Sequence, residues 1–311
     1  MQFVVKAYYA TGPINQLNMT PLVSVILPTY NRDKNIAKAI ESVWRQSYKS
    51  LELIIVNDAS TDATAELVGN LAKYNPKITI LHNEMNVGIV ASLNKGINVA
   101  RGKYIARLDD DDVWCDDKKI EKQVDFLEKN PGYCLVGGGV IKINKNNKEI
   151  VRYLLPKEDE YIRKTILINN AFAHTTVLFR KDTFLKVGGY DERFCFIEDW
   201  DLWLKMGKVS KFYNFQEFFV LYLDQEHDDP YHYRNYKIRR NVKINMELRK
   251  KYMDSYPHYK KAILFCYASY FYSFIPFRKK LGPIIFQIRK LIFGSPPYKY
   301  SHKNKSFKNE Q

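Results

Sequence analysis

From residue 21 onward, short apolar runs alternate with stretches in which apolar positions recur every three or four residues. The first pattern suits strands buried on both faces, and the second suits helices with one buried stripe. Their order predicts repeated β-α units and an α/β fold with a mostly parallel sheet flanked by helices. Residues 23–27 form the first predicted strand, stopped by Pro28. A helix over 35–46 then places Ile36, Ala39, Ile40, Val43 and Trp44 on one face. Residues 51–56 read as the second strand, and Thr61 or Asp62 caps a helix carrying Ala65, Leu67, Val68 and Leu71. A strand over 78–81, a helix over 88–100 and a strand over 104–108 continue the series.

The second half is less regular. A helix over 116–130 leads to a strand over 135–143, whose Gly137, Gly138 and Gly139 mark either a close backbone approach or a tight bend. A polar hinge at 156–160, a strand over 176–179, a helix from Asp182, a turn at Gly188 and Gly189, a helix over 200–206 and a strand over 218–223 follow. No internal repeat is seen. Three predicted strands end on polar clusters, at 29–32, 57–61 and 109–112. Ligands of parallel α/β sheets bind outside the carboxyl ends of the strands, so these clusters are expected to line one crevice.

Charge changes the picture at one end of the chain. The 311 residues carry a net +15, yet residues 1–230 hold 30 Lys and Arg against 31 Asp and Glu, while residues 231–311 hold 19 against 3. A near-neutral body disfavours a nucleic-acid reading surface, and a basic tail suits anionic lipid or a polyanion. The four cysteines, Cys115, Cys134, Cys195 and Cys266, show no metal-ligand or paired spacing, and they read as reduced thiols of a cytosolic protein. No secretory signal precedes residue 20. The most apolar stretch, 262–277, is interrupted by Ser269, Ser273 and Pro276, short of a membrane span. No GxGxxG follows the first strand, which argues against a dinucleotide dehydrogenase.

Asp109, Asp110, Asp111 and Asp112 follow directly on a predicted strand, a costly place to gather like charges. A hard divalent ion, held by one or two carboxylates plus substrate phosphates, compensates that cost. A solvated acidic turn is the other reading. The second acidic cluster, Glu198, Asp199 and Asp201, is flanked by Phe194, Phe196 and Trp200. An acid among rings makes a candidate proton acceptor, and a plain helix amino terminus explains the same residues.

Five motifs in order resemble those of family 2 glycosyltransferases of the GT-A fold. They are Val23-Ser-Val-Ile-Leu-Pro-Thr-Tyr-Asn-Arg32, Glu52-Leu-Ile-Ile-Val-Asn-Asp-Ala-Ser-Thr-Asp62, Asn86-Val-Gly88, Gly102-Lys-Tyr-Ile-Ala-Arg-Leu-Asp-Asp-Asp-Asp112 and Glu198-Asp-Trp-Asp-Leu-Trp203. They span roughly 22–223, and such a series is far more specific than any one motif. The resemblance implies a catalytic domain over 20–230, with a nucleotide-binding half at about 20–115 and an acceptor half at about 116–230. It implies that Pro28, Thr29, Tyr30 and Asp58 hold the base and ribose. Asp109 and Asp111 match the outer acids of the Asp-X-Asp element, which touches the ribose and binds Mn²⁺ or Mg²⁺ at the diphosphate. Asp110 lies between them on the donor, Asp111 is the metal ligand, and Asp112 matches a further acid. Asp199 matches the catalytic base of an inverting transfer from a nucleoside-diphosphate sugar, a UDP-sugar foremost, to a glycan or lipid-linked glycan acceptor. The alternatives are a polyprenyl-phosphate glycosyltransferase and a catalytically silent sugar-nucleotide-binding module.

The chain departs from the family pattern in places. The stretch Leu221-Tyr-Leu-Asp-Gln-Glu-His227 lacks the Arg of a Tyr-Arg-X-His element, which leaves His227 as a candidate diphosphate contact or a surface histidine. Leu93 stands where an Arg is usual, so Lys95 or Arg107 is a candidate diphosphate cation. His174 is a candidate acceptor contact. In the tail, thirteen aromatics lie between Tyr252 and Tyr298 among Lys and Arg. A helix from Pro283 would align Ile284, Ile285, Ile288, Leu291 and Ile292. Residues 231–311 are therefore expected to form a basic helical region that contacts the inner face of the cell membrane from the cytoplasmic side. Two helices packed on the domain are the alternative.

Overall fold

Every residue of β1 (Val23–Thr29) and β2 (Leu51–Asn57) is buried, as strands covered on both faces must be. The structure is a computed structural model that describes residues 20–224, 230–274 and 299–301. Side chains alternate across these strands. Val25, Leu27, Leu53 and Ile55 pack on one side with Ile36, Ala39, Ile40 and Val43 of α1 (Ile36–Trp44). Ile26, Ile54 and Val56 pack on the other with Val90, Leu93 and Ile97 of α3 (Ile89–Val99). The remaining early elements are α2 (Thr64–Lys73), β3 (Ile78–His82) and β4 (Tyr104–Arg107).

The first four strands are parallel in the order β4-β1-β2-β3, as the β-α series predicts. Beyond β4 the sheet becomes mixed. β8 (Leu178–Arg180) runs antiparallel to both β4 and β6 (Tyr133–Ile143). Next come β7 (Glu149–Leu154) and β10 (Lys299–Ser301), each antiparallel to its neighbour. β9 (Lys211–Leu223) runs parallel to β6 and also pairs with the two-residue β5 (Val113–Trp114). β9 is thus longer than the expected 218–223. Its early half carries Lys211, Asn214, Gln216 and Glu217, and buried Asn214 finds the carbonyls of Pro156 and Ala171 at 2.8 and 3.0 Å. The expected hinge at 156–160 instead leads into α5 (Asp159–Thr165), a short polar helix without an apolar stripe.

The glycine run of β6 serves close approach. A Cβ on Gly138 would stand 2.3 Å from the ring of Phe219, a fully buried residue of β9. Gly138→Ala is expected to cost about 1–3 kcal/mol through overpacking, read as a lower denaturation midpoint at an unchanged denaturant slope.

Four helices complete the body: α4 (Lys119–Lys129), α6 (Lys181–Lys186), α7 (Glu198–Gly207) and α8 (Pro230–Lys251), the last leading to α9 (Tyr259–Tyr272). Leu248, Tyr252, Tyr256 and Ala262 share a core with Trp200, Leu202 and Trp203 of α7. The beginning of the basic region thus packs against the acceptor half. The expected helix from Pro283 and the candidate His227 lie outside the described residues. Among those residues, no helix is long and apolar enough to cross a membrane.

Candidate active site

The carboxyl ends of β1, β2 and β4 meet in one crevice of about 400 Å³. Its walls are Pro28, Thr29, Tyr30, Arg32, Asp58, Ile89, Ser92, Asp109, Asp110, Asp111 and Tyr222. All seven residues expected around donor and metal are therefore brought together. Local turns explain why. Asn31, with a left-handed φ of 54°, lets its Oδ1 accept from the Thr61 amide at 2.8 Å, and the Arg32 amide donates to Thr64 Oγ1 at 2.8 Å. The loops after β1 and β2 are thereby tied to each other.

Asp58 has a defined local task. Its Oδ1 accepts from Val87 N at 2.9 Å and Asn83 Nδ2 at 2.7 Å, and its Oδ2 accepts from Gly88 N at 2.9 Å. Gly88 has a φ of 87°, which favours glycine, and it precedes α3. The carboxylate thus fixes the 83–88 loop while forming part of the crevice wall.

The acid loop is partly offset by two arginines. Arg107 is buried, and its Nη2 lies 2.5 Å from Asp109 Oδ1. Burial works against its charge, but Asp109, Tyr190 and Asp110 outweigh that and raise its pKa. Arg32 Nε lies 3.3 Å from Asp110 Oδ1 and 3.9 Å from Asp111 Oδ2. Even so, burial and then the neighbouring acids push Asp110 up to about 6. Asp112 is fully buried; its Oδ1 accepts from Leu223 N at 3.3 Å, and its Oδ2 has no hydrogen-bond partner. Burial, then Asp109 and Asp111, hold its carboxyl well above the usual carboxylate range.

Among the described residues, no three metal-ligating side chains converge on a point. A Mg²⁺ or Mn²⁺ site completed by diphosphate and water does not need three, since one or two carboxylates suffice. The donors here are hard oxygens carrying more negative charge than the two arginines offset, and they fit such an ion. Asp111 is the residue that would hold it, with Asp109 beside it on the donor.

The candidate cations are disposed differently from one another. Lys95 Nζ donates to the His82 carbonyl and Asn83 Oδ1, both at 2.8 Å, so its charge is spent on the loop beside Asp58. Arg107 is engaged by Asp109 and by the Leu108 carbonyl. Arg32 is the arginine in the crevice wall. Sequence reasoning passed over it as a cation, although its place directly after a strand end was the signal. Tyr222, near the end of β9, and Ile89 and Ser92 of α3 are the other wall residues missed.

Asp199 lies in the first turn of α7. Its Oδ2 accepts from Asn170 Nδ2 at 2.7 Å and its Oδ1 from Trp200 N at 2.7 Å. Burial, then Glu198, push its carboxyl up to about 7 despite these bonds, with Asp109 adding a smaller upward push. Glu198 is buried and raised too, chiefly by burial, while Arg107 and Asp109 act on it in opposite directions. The amino end of α7 is therefore within electrostatic reach of the acid loop. Asp201 instead serves packing, paired with Lys205 at 3.0 Å and Lys251 at 2.7 Å.

His174 belongs to the packing between these parts. Its Nε2 and Tyr190 Oη are 2.7 Å apart, and its ring meets Trp203 edge-on at 5.7 Å. Burial, then Arg107, hold it well below the usual imidazole pKa, so it is neutral. The four cysteines are free, and burial pushes Cys115 and Cys134 up to about 12, which leaves them poor nucleophiles.

Known proteins agree with this architecture. The family model described as glycosyl transferase family 2 matches residues 24–188. EpsE of Bacillus subtilis (strain 168), named as a glycosyltransferase, is 36% identical over 224 residues, 71% of this chain and 78% of its own. The amylovoran biosynthesis glycosyltransferase AmsE of Erwinia amylovora is 29% identical over 187 residues, 60% of this chain and 69% of its own. Among solved structures, the mannosyltransferase PcManGT of Pyrobaculum calidifontis, in complex with GDP-Man and Mn²⁺, superposes with a TM-score of 0.57 at 20% identity. The match covers 90% of this chain and 78% of that one. TarS of S. aureus, residues 1–349 with UDP-GlcNAc, gives 0.58 at 14% identity over 87% and 77%. These two likenesses establish the GT-A fold.

Proposed function

The chain belongs to glycosyl transferase family 2, and from that premise we propose an inverting, metal-dependent transfer of a sugar from a nucleoside-diphosphate donor to a hydroxyl of a glycan or lipid-linked glycan. The observation that carries this reading is the convergence of Thr29, Asp58 and the Asp109–Asp111 loop in one crevice, with a raised carboxyl, Asp199, within electrostatic reach of it. Thr29, Tyr30 and Asp58 border the nucleoside, and Asp58 also holds the 83–88 loop in place. Asp111, with Asp109 beside it on the donor, would hold Mn²⁺ or Mg²⁺, which would offset the charge that builds on the departing diphosphate. Arg32, released from Asp110, adds a second positive charge beside that diphosphate. Asp199 accepts the proton of the acceptor hydroxyl as its oxygen attacks the anomeric carbon in line, with Asn170 orienting the carboxylate. No covalent intermediate is needed.

A UDP-sugar is the first donor to try; PcManGT with GDP-Man and TarS with UDP-GlcNAc span both nucleotide types. The test is donor consumption across UDP- and GDP-sugars with Mn²⁺. One donor consumed above the enzyme-free rate supports the reading, and none consumed contradicts it.

The site of action proposed is the cytoplasmic face of the membrane, in polysaccharide assembly. Leu264, Tyr267, Phe271 and Phe274 follow one face of α9 into its end and are 44–64% exposed. Residues 255–309 contain eleven Lys and Arg and no Asp or Glu. An apolar stripe beside unopposed positive charge suits an anionic bilayer. In sedimentation with phosphatidylglycerol vesicles, the protein is expected to pellet, and a Leu264→Glu, Phe271→Glu double variant to remain largely in solution. Equal partitioning of the two would contradict membrane contact through this face.

A further inference from the structure

Arg249, in the last turn of α8, is only 2% exposed. Its Nη1 donates to the Asn245 carbonyl at 2.9 Å and to Asn245 Oδ1 at 3.1 Å, and its Nε has no partner. Outside its own helix it makes two contacts of interest. Its Nη2 donates to the Ile168 carbonyl at 2.9 Å, and its guanidinium carbon lies 4.5 Å from the centroid of the Trp200 ring. Burying a guanidinium with an unpaired donor is costly, and an apolar side chain would join α8 to α7 at lower cost.

Both contacts fall on supports of Asp199. Trp200 is its neighbour in the chain, and Ile168 stands two residues before Asn170, whose amide donates to Asp199 Oδ2 at 2.7 Å. The Trp200 indole N–H also donates to the Ile166 carbonyl at 2.7 Å. The 166–170 segment is thus gripped at Ile166 by Trp200 and at Ile168 by Arg249, and it presents Asn170 to the carboxylate.

We propose that Arg249 is a positioning residue for Asp199, pinning the Ile168 carbonyl and lying on Trp200 so that Asn170 stays in place against the carboxylate. The proposal rests on Asp199 being the base. It assigns part of the basic C-terminal region to setting the active site, from a helix outside the residues matched by the family model.

The groups facing Asp199 set the sign of the expected effect. Glu198 beside it and Asp109 from the acid loop favour the protonated form, as burial does. The Trp200 N–H and Asn170 favour the carboxylate. Tyr190, a buried phenol, is also within electrostatic reach. Loss of the Asn170 bond therefore raises proton affinity, and activity that needs the carboxylate sets in at higher pH. Other contacts to α7 bypass this segment; Tyr252, the residue after α8, donates its Oη proton to Asp201 Oδ1 at 2.8 Å.

The experiment follows donor hydrolysis or transfer against pH in the full chain. Arg249→Met is expected to keep the fold by circular dichroism and the donor KM within about twofold. Its kcat should fall about ten- to a hundredfold, with the acid limb moved upward by about half a pH unit or more. Arg249→Lys is expected to recover part of both, and Tyr252→Phe to lower thermal stability with the limb in place. A folded Arg249→Met enzyme with wild-type kcat and limb overturns the proposal, as does an equal displacement in Tyr252→Phe. Should Arg249→Met not fold, Arg249→Lys is read alone, and an unmoved limb in it is decisive against. An active Asp199→Asn enzyme would remove the underlying assignment; an inactive one beside an unaffected Arg249→Met removes only the role of Arg249.

Discussion

Asp199→Asn is expected to bind the donor within about twofold of wild type and to transfer sugar 10²–10⁴-fold more slowly, the range contributed by a positioned general base. The carboxamide keeps the size of the side chain but has one acceptor oxygen where the carboxylate has two, so it retains the bond from Asn170 or that from the Trp200 amide, not both, and it cannot take a proton at neutral pH. The pH profile supplies a second reading of the same group. Burial and Glu198 raise Asp199 to about 7, so the active, ionised form is lost as pH falls through that value. In wild type, kcat/KM is expected to climb through about pH 7 and level off above it. In Asp199→Asn the residual activity should lack that limb. Full activity in the variant would move the base elsewhere.

Asp111→Asn is the second large effect. Its carboxylate lines the crevice with Asp109 and Asp110, and in the proposed reading it would hold a divalent ion against the donor diphosphate. Removing one charge from that loop weakens both ion and donor, in contrast with the Asp199 variant. Transfer is expected to fall by about 10²-fold or more, and calorimetry of the nucleoside diphosphate should lose most of the affinity that Mn²⁺ adds. Unchanged Mn²⁺-dependent binding would remove Asp111 from the metal site. The two variants together separate donor binding from proton transfer.

The convergence of the candidate donor residues was legible in the sequence because each group of them sits at the end of an apolar strand. β1, β2 and β4 are marked by unbroken apolar runs, and the polar residues that follow them converge by topology alone. The second half was harder to read, since β7 and the early part of β9 carry polar residues whose burial depends on partners distant in sequence. Asn214 is one example, bonded to carbonyls near residues 156 and 171. The electrostatic details were not legible either. Lys95 and Arg107 looked like free cations, and each is committed to a neighbouring loop oxygen. Arg32, at the end of the first motif, carried no assigned role. The basic tail concealed most. Its charge pointed first to a membrane surface, with helices packed on the domain as the alternative, and Arg240 lies over Phe196, Lys251 over Phe194 and Arg249 over Trp200, at 4.5–4.8 Å from the ring centroids. The aromatics that flank the acidic cluster at 198–201 are therefore the seat of α8, a pairing that no local pattern reveals.

A single displacement assisted by one base fixes the stereochemical outcome, and water can replace the acceptor when the latter is not supplied. The most direct measurement is therefore proton NMR of the sugar released by slow hydrolysis of the consumed donor, followed before mutarotation scrambles it. A free sugar whose first-formed anomer is opposite to that of the donor is the predicted result. First appearance of the donor's own anomer would mean a retained configuration and would contradict the account.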